Sequence, residues 1–126
     1  MPISYVVNEN VRVVWVRCRG DIAASALRAH WDRLQADTSF DSSFDRLVDL
    51  THVTSLPSFG EVNDVLMHTR DPMHKTGRIA FLSRNETEFD QALQATWMMG
   101  TGRRESEVFR NPHDAIMWLR PRRIKP

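Results

Sequence analysis

Apolar positions along the chain fall into short β-branched runs separated by stretches of helical periodicity. Residues 3–7 and 11–18 are apolar and β-branched, and the link Asn8, Glu9, Asn10 carries residues that tolerate the left-handed conformation of a tight hairpin, so two antiparallel strands are predicted. In the second run Val14, Val16 and Cys18 point one way and Val11, Val13 and Trp15 the other. Both faces are apolar except near Arg12 and Arg17, the signature of an interior strand. Gly20 is expected to stop it and Asp21 to cap a first helix, on which Ala23, Leu27, Trp31 and Leu34 share one face as far as Ala36. The polar run 37–43 then returns the chain to the sheet.

The centre of the pattern is the four-residue run Leu47, Val48, Asp49, Leu50, short and mostly apolar as in a parallel strand buried on both faces. A polar connection over 51–57 follows. Ser58 and Glu61 have the spacing of a capping box, which sets the start of a second helix whose inner stripe is Phe59, Val62, Val65, Leu66 and Thr69. Asp71 and Pro72 end it, since the residue before a proline is pushed out of the helical region. Gly77 opens a second buried strand over 78–83, with Ile79, Ala80, Phe81 and Leu82. Asn85 and Glu88 cap a third helix with Phe89, Ala92, Leu93, Thr96 and Trp97 inward, closed by Gly100 or Gly102. A last strand over 105–110 leads to Asn111 and Pro112, which start a final helix carrying Ala115, Ile116 and Leu119. The predicted order is β-β-α-β-α-β-α-β-α: a mixed, mostly parallel five-stranded α/β sheet with an N-terminal antiparallel hairpin, four helices and right-handed crossovers.

Composition narrows the setting. The 126 residues suffice for one core without disulfides or metal, and 41% hydrophobic with 26% charged residues is ordinary for a globular protein. Cys18, the single cysteine, has no partner for an internal disulfide, and its place in an apolar strand marks a buried thiol rather than a nucleophile. With no signal peptide and no apolar run long enough to span a membrane, cytoplasmic residence is the expectation. The net charge of +1 is uneven: without Arg120, Arg122, Arg123 and Lys125 the balance is 13 basic against 16 acidic residues, or −3. The division is therefore a domain over 1–119 and a solvated basic tail over 120–126. So short a tail does not supply the extended phosphate-contacting surface that nucleic-acid binding requires.

Candidate chemistry gathers at the carboxyl ends of the two buried strands, where open α/β sheets receive ligands. Thr51, His52, Thr54, Ser55 and Ser58, with Ser83, Arg84 and Asn85 at the next strand end, offer hydroxyls, an imidazole and a guanidinium to a small anion or a partner. Each is equally accounted for as a turn or cap residue. Met67, Trp97, Met98 and Trp118 are adaptable apolar side chains that would serve as core, as a dimer face or as the lining of an apolar pocket. His30, His52, His68, His74 and His113 are too scattered for a metal site, and no nucleophile elbow or glycine-rich phosphate loop is present. No catalytic residue, cofactor or enzyme activity is expected. A hydrolase built on His52 would need a nearby serine and an acidic partner within hydrogen-bond reach.

Four patterns carry a family resemblance: V-x-C-R-G-D-I from Val16 to Ile22, L-V-D-L-T-H-V-T from Leu47 to Thr54, R-I-A-F-L from Arg78 to Leu82, and V-F-R-N-P-H-D-A-I-M-W-L from Val108 to Leu119. In this order and spacing they resemble the SpoIIAA-like proteins, an uncharacterised bacterial branch of the STAS fold akin to CRAL-TRIO lipid-binding domains. The resemblance implies a non-enzymatic, homodimeric regulatory or interaction module that binds a protein partner or small ligand near the loop from Thr51 to Ser58. The CRAL-TRIO kinship implies the alternative of a carrier for an apolar, lipid-like molecule. STAS anti-sigma-factor antagonists carry D-S-S-G or D-S-T-G at the helix start, with a phosphorylatable serine. Here the matching place reads Pro57, Ser58, Phe59, Gly60: serine and glycine remain, and the aspartate and one hydroxyl residue do not. Ser58 is thus a candidate phosphorylation site and, equally, a structural cap.

Overall fold

The computed structural model describes residues 2–41, 44–58, 60–61, 78–84 and 106–124. Two strands open the chain, β1 (Ile3–Asn8) and β2 (Val13–Asp21), followed by α1 (Ala24–Ala36) and the long strand β3 (Asp45–Ser55). Then come β4 (Ile79–Leu82), β5 (Ser106–Phe109) and α2 (Pro112–Ile124). The five strands lie side by side in sequence order, β1 antiparallel to β2 and every later pair parallel. The mixed, mostly parallel sheet with its N-terminal hairpin is therefore as predicted. Two of the four expected helices are described, together with the first helical residues, Gly60 and Glu61, of a third. The body of that helix and the whole helix expected after Asn85 lie outside the described residues.

The alternation in β2 separates two cores. Val14, Val16 and Cys18 face α1, joining Ile3, Ile22, Leu34, Leu50, Val53, Ile79 and Phe81. Val13 and Trp15 face the other way, flanking Leu47, Ala80, Leu82, Ala115 and Leu119 beneath α2. β3 contributes to both, Leu47 to one and Leu50 to the other, as a strand buried on two faces must. Each fully buried aliphatic side chain stabilises the fold by about 1.5–3 kcal/mol.

Several boundaries differ from expectation, each for a local reason. The hairpin turn is longer, running over residues 9–12, because the Asn8 carboxamide accepts from the amides of Asn10 and Val11 and Arg12 takes the left-handed conformation at φ 59°. Gly20 does not end β2 but adopts φ 70° between two register shifts, and the strand continues to Asp21. Asp21 accordingly caps no helix: α1 starts at Ala24 behind Ala23, which offers no side-chain cap, while the Asp21 carboxylate accepts the Ser55 hydroxyl. At the far end α2 continues past Pro121 to Ile124, so the helix takes in Arg120, Arg122 and Arg123. Proline removes only one backbone bond there, close to the helix end.

Polar groups inside the sheet are used as joints. Asp45, fully buried, accepts the Arg78 amide at 2.8 Å, while the Arg46 amide donates to the Arg78 carbonyl at 2.9 Å. The Arg78 guanidinium then reaches over the Trp118 ring, 4.7 Å from its centroid, and donates to the Trp118 carbonyl at 2.7 Å. One arginine thereby ties the starts of β3 and β4 to α2. On the other face Arg46, also buried, stacks over Trp31 at 4.2 Å and Phe40 at 5.5 Å.

His30 of α1 sits edge-on to Tyr5 within this second face. Burial, then the charges of Arg46 and Arg33, pull its pKa down to about 4. Unfolded, the imidazole returns to its ordinary 6.5, so the contribution of neutral His30 is complete above 6.5 and is lost as pH falls towards 4. Denaturant melts across that window should show a loss of about 3 kcal/mol that a His30→Leu variant lacks; identical slopes for the two proteins would refute the assignment.

Candidate functional site

The candidate residues lie where β3 outruns its neighbour. Asp49 is the last β3 residue paired with β4, opposite Leu82, whereas β2 accompanies β3 as far as Ser55 through the pairs Arg19 with His52, Gly20 with Val53 and Asp21 with Ser55. Most of the stretch expected to be a polar connection, Thr51 to Ser55, is therefore strand. The β-branched Thr51, Val53 and Thr54 suit extended backbone, and two register shifts absorb the extra residues of β3. The chain leaves the sheet only at Leu56, and Pro57 is buried.

Within this extension the polar side chains form three separate groups. Asp49 Oδ1 accepts both the amide of Thr51, at 2.9 Å, and its hydroxyl, at 2.5 Å. Because that hydroxyl proton is committed to the carboxylate, Thr51 Oγ1 accepts from Nδ1–H of His52 at 3.2 Å, which turns Nε2 of the exposed imidazole towards solvent. The second group joins Ser55 to Asp21 by a hydroxyl–carboxylate bond, and the Ser55 carbonyl accepts the Ile22 amide at 3.0 Å. Thr54 between them is exposed. The third is the capping box read from the sequence: the Ser58 amide donates to Glu61 Oε1 at 3.1 Å and the Glu61 amide to Ser58 Oγ at 3.2 Å.

On the β4 side Ser83 is fully buried and extends the sheet, its amide donating to the Phe109 carbonyl at 3.0 Å, while Arg84 is exposed. Asn85 lies outside the described residues. So do Met67, Trp97 and Met98. Trp118 is half-buried against Phe109, with ring centroids 5.6 Å apart, and under Arg78. Met117, its neighbour on α2, is exposed. His52 has Asp49 on its threonine side but no serine bonded to it among the described residues, and none of them groups three or more His, Cys, Asp or Glu side chains for a metal.

Cys18 lies in the core facing α1, its thiol pushed up to about 12, first by burial and then by the Asp49 charge. The sequence pointed to that burial. It did not point to Asp49 and Asp21 as the acceptors that fix Thr51 and Ser55, because the pairings depend on the register between β2 and β3. Nor did it place Arg17 and Arg19 beside Asp49 and His52, although the alternation in β2 marks both arginines as sharing one face.

With the geometry in place, solved structures offer two close likenesses. An uncharacterised protein of the DUF3478 family with a SpoIIAA-like fold, from Shewanella loihica, superposes with a TM-score of 0.67 at 16% identity, covering 93% of each chain. The fold is SpoIIAA-like. An anti-sigma factor antagonist from Mycobacterium paratuberculosis superposes with a TM-score of 0.59 at 21% identity, covering 94% of each chain. No family model matches the sequence, and no curated protein matches it. Among the described residues no helix is long and apolar enough to cross a membrane.

Two outcomes test this geometry. Ser58→Ala should destabilise the protein by about 1 kcal/mol in denaturant melts through loss of the reciprocal cap. Cys18 should resist Ellman's reagent in the native protein and react fully once unfolded; rapid native labelling would contradict its burial.

Proposed function

We propose that this SpoIIAA-like chain is a cytoplasmic, homodimeric, non-enzymatic regulatory module of the STAS type, which binds a protein partner at the end of β3, over 51–58. The observation that carries the proposal is the position of Ser58. It is exposed, three residues beyond the end of β3, with its hydroxyl at the first turn of a helix, and the sequence resemblance matches it to the phosphorylatable serine of STAS antagonists. A phosphate there would lie at the positive end of the helix dipole, and would replace the Ser58 hydroxyl as acceptor for the Glu61 amide. It would also repel the Glu61 carboxylate, which bonds back to the Ser58 amide. Modification would thus rearrange the helix start and change the surface offered to a partner. The fold likeness to an anti-sigma factor antagonist supports this reading.

The test is peptide mapping of the full chain after exposure to ATP and extract of its own host, followed by comparison of partners retained by wild-type protein and a Ser58→Asp variant. The expected result is a phosphate adduct on the Ser58 peptide and a partner whose affinity changes in Ser58→Asp. An unmodified Ser58 together with unchanged partner binding would leave Ser58 as a cap and overturn the switch.

A further inference from the structure

α2 packs on β4, β5 and β3, and among the described residues of the same sheet face Ser4, Val6, Arg17, Arg19 and His52, on β1, β2 and β3, are exposed. Their neighbours are fixed by register: Ser4 beside Arg17 and Val6 beside Trp15 between β1 and β2, then Arg17 beside Asp49 and Arg19 beside His52 between β2 and β3. Val6 is 70% exposed, and Arg17, Arg19 and His52 are exposed with it. Trp15 forms the half-buried floor, with the Arg17 guanidinium over its ring at 5.7 Å and its indole Nε1 buried without a hydrogen-bond partner among the described residues.

We propose that this face is a docking surface for an extended acidic segment of a partner protein. The proposal goes beyond the reading of Ser58 and stands whether or not that serine is modified. Charge selects the occupant. Among the described residues neither Arg17 nor Arg19 is ion-paired, and the one carboxylate between them and His52, Asp49, already has Oδ1 occupied by Thr51. The same bonds hold the exposed His52 ring at the border of this face, next to Arg19. A second copy stacked through this face would set Arg17 and Arg19 against themselves. Nucleic acid would need more phosphate contacts than two arginines and an imidazole provide, on a chain whose remaining charges, apart from the last seven residues, are net acidic.

Geometry narrows the class further. Arg17 and Arg19 are alternate residues of one strand, about 7 Å apart, which matches acidic side chains at alternate positions of an extended segment. Val6 and the edge of Trp15 provide apolar area beside them. Arginine stacked on an aromatic ring and free to bind carboxylate bidentately is the residue type enriched at such contacts.

The test is an isotope-labelled full chain titrated with a blocked peptide of alternating glutamate and valine, with its glutamine counterpart and oligothymidylate as controls. Resonances of Val6, Trp15, Arg17, Arg19 and His52 should move with the acidic peptide alone, and added salt should weaken the effect. A double Arg17→Glu, Arg19→Glu variant should bind about tenfold more weakly or worse. Both positions are exposed, so the variant should fold; if it does not, Arg19→Ala alone should show the loss. Shifts confined to the Ser58 and Glu61 region or to α2, equal response to the glutamine peptide, or equal binding of oligothymidylate would each overturn the proposal.

Discussion

Burial of β3 on both faces is the constraint from which the rest of the architecture follows. A strand with Leu47 under α2 and Leu50 under α1 needs a neighbour on each side for its backbone and a helix on each face for its side chains. β2 and β4 meet the first need; α1 and α2 meet the second. The polar joints fall at the start of the strand, where Asp45 and Arg46 hold the backbone of Arg78 and Arg78 in turn holds α2. Buried charge is tolerated there because each group has hydrogen-bond or aromatic partners that replace water.

The other end of β3 is organised differently. Beyond Asp49 the strand pairs, among the described residues, with β2 alone, and the polar side chains bond locally: the Thr51 hydroxyl donates to Asp49 and the Ser55 hydroxyl to Asp21, while Ser58 Oγ accepts from the Glu61 amide. Hydroxyls already bonded in this way are poor candidates for direct ligand capture, since a ligand would have to displace an existing bond. His52, Arg17 and Arg19 are different in kind, exposed and oriented by the register of two strands. One end of the strand thus serves stability, and the other carries exposed polar residues, at the capped helix start and beside β2.

Agreement with a SpoIIAA-like architecture comes with low sequence identity, 16% and 21% in the two structures compared. A fold persists at such identity where the spacing of buried positions is kept. Those positions fix the sheet order and leave the surface free to vary, so fold likeness constrains the location of a site more tightly than its ligand.

The sequence alone determined the succession of the described elements along the chain, the two-faced burial of β2 and β3, the interior Cys18 and the capping box at Ser58. All of these are periodicities or short spacings that act within a few residues. Boundaries that depend on distant partners were not legible. Gly20 reads as a strand terminator until β3 is seen to shift register beside it, and Asp21 reads as a cap until Ser55 claims its carboxylate. Thr51 to Ser55 reads as a loop because its residues are polar, yet pairing with β2 holds it extended. His30 shows no sign in its local pattern of the buried site that Arg46 and Tyr5, from two strands, build around it. Contacts between residues far apart in sequence decided these points, because only the assembled sheet sets which side chains share a face.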